Sequence, residues 1–141
     1  QDTNNDKYLE SVLTEAKDLI KETYKDKKIM HMIVDRFIIN NEDHLQFIQS
    51  LKGDHLCVEI NFIIISNNLV LELDKLLEKY QIEISRYLDQ KYVLNLFKES
   101  DIKFSSMVYK VTNGYNLNEV NLVPKNIKKY GFFEKFFQLF S

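Results

Sequence analysis

The sequence predicts a small α+β domain: a three-stranded sheet with two helices packed on one face in two layers, followed by a C-terminal amphipathic helix. Three observations predict it. Around residues 7–25 and 68–80, apolar residues recur at helical spacing. "HLCVEINFIIIS" (55–66) alternates apolar and polar residues with the period of a strand that has one wet side. The closing stretch "YGFFEKFFQLFS" sets five phenylalanines on one side of a helix.

The first helix carries Leu9, Val12, Leu13, Ala16, Ile20 and Tyr24 as one stripe, with Asn5 or Asp6 placed to cap it. "KIMHMIVDRFIIN" (28–40) is rich in Ile, Val and Phe on both pleat faces, as suits a strand covered on two sides. Residues 40–53 are polar except for Leu45, Phe47, Ile48 and Leu51, a set spaced for one or two helical turns before Gly53. In the strand 55–65, Leu56, Val58, Ile60, Phe62 and Ile64 face one way, and His55, Cys57, Glu59 and Asn61 the other. Beyond Ser66 and two Asn residues that can cap, Leu69, Val70, Leu73, Leu76, Leu77 and Tyr80 form the second helical stripe. Ile82 and Ile84 open a third, short strand over 82–88, and a helix-like piece surrounds Leu88, Tyr92, Val93 and Leu96. "KFSSMVYKV" (103–111) reads as a further strand. From 112 to 129, Gly114, Pro124 and five Asn favour turns, so this segment reads as a tether. The domain therefore spans 1–111, the linker 112–129 and the amphipathic helix 130–141. Each main helix has a single apolar stripe and the strand 55–65 has one polar side, which suits the two-layer arrangement.

Composition sets bounds on function. The 141 residues, 45% hydrophobic and 28% charged, fit one domain with a real core. A net charge of -2 gives no global attraction to nucleic acid. No apolar run approaches the 18 or so residues of a spanning helix, and no basic stretch followed by an apolar one marks a signal peptide. The chain opens on Gln and not Met, which reads as a fragment or a processed chain. Cys57 is the single cysteine, so it reads as a reduced, packed strand residue in a cytosolic compartment. His31, His44 and His55 lack the close Cys, His or carboxylate partners of a metal site and read as ordinary strand and loop histidines. With Gly53, Gly114 and Gly131 as the only glycines, no glycine-rich phosphate cradle can be assembled, and no cofactor or catalytic set is expected.

The tail carries the one chemical signal. At 100° per residue, Phe132, Phe133, Phe136, Phe137, Leu139 and Phe140 fall within roughly 160° of arc, and Glu134, Lys135, Gln138 and Ser141 fill the rest. A helix this short is marginal alone in water, so it needs its own domain, a partner or a lipid interface. Lys128, Lys129 and Lys135 surround the aromatic face, where each lysine near an anionic bilayer is worth about 1 kcal/mol. Three or four buried rings at about 1.5–3 kcal/mol each add enough for reversible membrane binding.

Over Tyr8 to Val93 the chain resembles the inserted subdomain of the FtsA family, actin-like bacterial cell-division proteins that tether the division ring to the inner membrane. The resemblance rests on Ile29, Met30, His31, Met32, Ile33, Phe37, Ile38 and Ile39, where Val34 stands in place of a Pro. It continues at Gly53, Leu56 and Val58, and at Glu78, Lys79, Ile82 and Ile84, with Gln81 in place of a Gly. Members of that family also end in a linker and an amphipathic membrane-binding helix. The family's Asp-Pro-x-Gly-Met loop and its entire ATPase core have no counterpart here. The resemblance implies a non-enzymatic adaptor, cytoplasmic and peripheral to the inner membrane. Its partners would be an anionic membrane surface and either division proteins or further copies of itself. The alternative is a soluble α+β protein-binding domain unrelated to division, with the Phe helix packed on its own core or on a partner.

Overall fold

The computed structural model describes residues 3–45 and 55–122. In chain order these form α1 (Thr3–Thr23), β1 (Lys27–Ile39), β2 (Glu42–His44), β3 (Leu56–Ser66), α2 (Asn67–Glu78), α3 (Gln90–Leu96), α4 (Phe104–Thr112) and β4 (Glu119–Val120). The class is α+β with an antiparallel sheet, as the sequence predicts. β1 is its centre. It pairs with β3 along its whole length, from Lys27 opposite Ser66 to Ile39 opposite Leu56. Two short strands share its other edge: β2 at Phe37–Ile39 and β4 at Met32 and Ile33.

Local chemistry sets the turns. β1 and β2 are joined by the two residues Asn40 and Asn41, with φ of 51° and 66°. A two-residue hairpin of this kind needs positive φ at both positions, and Asn tolerates it better than most residues. α4 ends in a Schellman motif: Gly114, at φ 80°, donates its N–H to the carbonyl of Val111, and Tyr115 donates to that of Lys110. After α2, Gln81 takes the same left-handed conformation at φ 57°, and the Ile82 N–H closes onto the carbonyl of Leu77.

Two irregularities in the β1–β3 ladder, at Met30 and at Asp35, sort the side chains between two cores. The first core holds Leu9 and Leu13 of α1 against Met32, Val34 and Phe37 of β1 and Val120 of β4, with Leu56, Val58, Ile60 and Phe62 of β3 beside them. The bulge at Asp35 lets Val34 and Phe37, three residues apart, share that face. The second core lies on the opposite face, where Ile33 meets Tyr92, Val93 and Phe97 from α3 and its following turn, and Met107 and Val111 from α4. The layering is therefore fuller than the expected two layers: α1 covers one face of the sheet, and α3 with α4 covers part of the other.

Several local expectations are corrected. The expected strand 103–111 is instead the helix Phe104–Thr112, because Phe104, Met107, Val108 and Val111 repeat at helical spacing and Gly114 stops the helix. Residues 82–89 have no regular structure, and the remaining strands are β2 and β4. β2 lies inside the segment expected to be helical, because the Asn pair turns the chain back onto β1. The linker expected from residue 112 onward is, as far as residue 122, part of the domain: Val120 is 1% exposed. Asn5 and Asp6 lie within α1 and do not precede it. Cys57 is exposed, on the polar side of β3 that its own strand parity assigns it. α2 buries only Val70, and Leu69, Leu71 and Leu76 stay exposed.

Candidate functional site

The predicted membrane-contacting residues Phe132, Phe133, Phe136, Phe137, Phe140, Lys128, Lys129 and Lys135 lie outside the described residues. What is described is the anchorage of the chain that leads to them. β4 and its flanks are bound to the sheet by a polar cluster around Glu119. Glu119 Oε1 accepts from His31 Nδ1 and from Arg86 Nη2, each at 2.7 Å, and Oε2 accepts from the Tyr92 hydroxyl at 2.6 Å. His31 is fully buried, and the Asp89 backbone N–H donates to its Nε2 at 2.9 Å. Nε2 is thus an acceptor, so the proton sits on Nδ1 and points at the carboxylate. Tyr92 stacks against His31 at 4.3 Å between ring centroids and accepts at its hydroxyl from Asn116 Nδ2 at 3.1 Å.

Each partner is placed by a different element. The irregularity at Met30 turns His31 toward the second core, the β4 ladder sets Glu119 opposite Ile33, and Asp89 caps α3 by accepting from the Tyr92 N–H. Burial, followed by the hydrogen bond to Glu119, pushes the Tyr92 hydroxyl pKa far above its usual value. His31, Tyr92 and Glu119 turn their hydrogen-bonding groups onto one another, while Arg86 closes the cluster from its exposed edge. The cluster acts as a lock that fixes β4, and with it the point from which the chain continues beyond Leu122. Tyr87 adds a second tie: its hydroxyl donates to Asp74 at 2.7 Å, linking the irregular segment to α2, and burial followed by that bond raises its pKa to about 12.

The expectation of a satisfied strand histidine fits His31, whereas Glu119, Arg86 and Tyr92 were not singled out by sequence reasoning. They lie 33, 27 and 88 residues from one another or from His31, and no local spacing joins them. On the open side of the sheet, Arg36 binds Glu59 and Asp43, which holds its guanidinium pKa above the usual value; this exposed trio contributes little stability. Among the described residues no group of three or more His, Cys, Asp or Glu side chains is placed to hold a metal ion. None of the described helices is long and apolar enough to cross a membrane. No protein-family model, curated protein or solved structure matches this chain.

Proposed function

We propose that this protein is a non-enzymatic, membrane-associated adaptor of bacterial cell division, resembling the FtsA family without its ATPase core. Its α+β module binds protein partners at the cytoplasmic side while residues 130–141 hold it to anionic lipid. The observation that carries the membrane part is the single aromatic face of Phe132, Phe133, Phe136, Phe137 and Phe140 beside Lys128, Lys129 and Lys135. Two structural features support the reading. Gln81, where the resembled motif carries Gly, sits at φ 57°, the conformation that Gly supplies most readily. The sheet's second face is covered by α3 and α4 or lined with charge at Arg36 and Glu59, so that face offers the Phe helix little apolar surface.

The test is co-sedimentation of the chain with anionic vesicles, with and without residues 130–141, at low and high salt. Binding that needs the tail and weakens with salt is the expected result; equal binding without the tail would sink the membrane part. A second reading has one observation in its favour: Leu69 and Leu76 of α2, two turns apart on one side of the helix, are exposed. The Phe helix packed there would make the protein a soluble binding domain, and loss of the tail would then lower its melting temperature.

A further inference from the structure

The inward stripe of α1 changes character along its length. Leu9 and Leu13, one turn apart, are buried in the first core, and the next residues in that series are Lys17 and Lys21. Lys17 is only 5% exposed, so a cation occupies a position where the pattern calls for another leucine. Lys25, just past the helix, and Lys27 and Lys28 at the start of β1 join them around one cavity of about 370 Å³, which Asn67 and Leu122 also line. Like charges one turn apart on a helix repel, and the negative end of the α1 dipole offsets only part of that for the last of them. Asp26 pairs with Lys27 at 3.8 Å, with its carboxylate 80% exposed. Lys28 lies over the Tyr87 ring, and among the described residues Lys21 and Lys25 make no ion pair. Five lysines thus line one concavity of a protein whose net charge is -2.

We propose that this cavity docks the phosphate headgroups of anionic phospholipids and holds the α1–β1 corner against a bilayer. The choice of a lipid over a soluble anion rests on the membrane reading above and on Leu122, which lines the cavity and is the last described residue before the chain carrying Lys128, Lys129 and the Phe face. Nine residues separate Leu122 from Phe132, which puts them at most about 36 Å apart when extended. Cavity and tail are therefore close enough to engage one membrane together, each raising the effective concentration of the other.

The test uses the full chain and vesicles of phosphatidylglycerol with phosphatidylcholine, against phosphatidylcholine alone. Lys21→Gln, Lys25→Gln and Lys28→Gln together should weaken binding to the anionic vesicles on the order of 100-fold, three lysines at about 1 kcal/mol each. The same three positions changed to Arg should keep it. Lys91→Gln, Lys98→Gln and Lys103→Gln, an equal charge change on the far side of the sheet, should leave it within a few fold. The Phe133→Glu, Phe137→Glu variant reads the tail separately: if it still binds and the first lysine triple does not, the cavity stands and the tail reading falls. Unchanged binding in the first triple, or equal losses in both Gln triples, overturns the cavity. So does saturable binding of soluble tripolyphosphate, measured by calorimetry, that the first triple abolishes while vesicle binding persists.

Discussion

Glu119 receives three hydrogen bonds, two of them from the buried side chains of His31 and Tyr92, so its removal leaves more than its own contacts unmade. Glu119→Ala should cost about 2–4 kcal/mol in urea unfolding, because the His31 and Tyr92 donors are then buried without a partner. A loss under about 0.5 kcal/mol would mean that water replaces the carboxylate freely. The tyrosines set the alkaline limit. Tyr92 and Tyr87 both have folded pKa values above the usual one near 10, Tyr87 at about 12. The fold therefore has their full contribution below about pH 10 and loses it as the pH rises through the folded values, where unfolding releases their protons. Stability measured between about pH 9 and 12 should fall, and Tyr92→Phe should flatten that fall. His31 was legible as a strand residue, but not its partners Glu119 and Asp89, which lie 88 and 58 residues away.

At the scale of elements, backbone conformation separates what was read from what was missed. Gly114 stops α4 as Gly commonly does, yet "KFSSMVYKV" contains enough β-branched and aromatic residues to pass for a strand. The helical interval between Phe104, Met107, Val108 and Val111 was the better guide. Gln81 does the same work as Gly114 with the wrong residue. Gln81→Gly should raise stability by about 1 kcal/mol, seen as a higher urea midpoint with an unchanged slope, since the left-handed conformation penalises a Cβ. No gain would show that Gln81 is held by contacts that Gly cannot make. α4 has a second weakness at its start: Lys103 is the N-cap and makes no capping bond. Lys103→Asp should add about 0.5–1 kcal/mol by accepting from the first-turn amides and by favouring the helix dipole.

At the scale of the whole molecule, the question is whether the tail belongs to the domain or to a membrane. Phe133→Glu with Phe137→Glu should abolish binding to anionic vesicles and leave the melting temperature within about 2 °C, since a membrane-bound tail adds nothing to the fold in solution. A drop of about 5 °C or more would put the Phe helix on the domain, with the outward face of α2 as its seat. Calorimetry with ATP should show no saturable binding, because no glycine-rich loop cradles phosphates; micromolar binding would require a site of another kind.

The sequence by itself determined the α+β class, α1, α2, both long strands, and which side of β3 meets the core, because each rests on periodicity within a short window. It also sets five phenylalanines of the tail at helical spacing, which is a property of sequence alone. Tertiary structure decided the rest. The two residues Glu119 and Val120 look like turn-rich linker until β1 offers an edge beside Met32 and Ile33, and then hydrogen bonds and burial make them part of the sheet. The lock joining His31, Arg86, Tyr92 and Glu119, and the gathering of Lys17 and Lys21 with Lys27 and Lys28, come from chain crossings that no local pattern encodes. Period tells which face a residue takes; only the packed chain tells what that face meets.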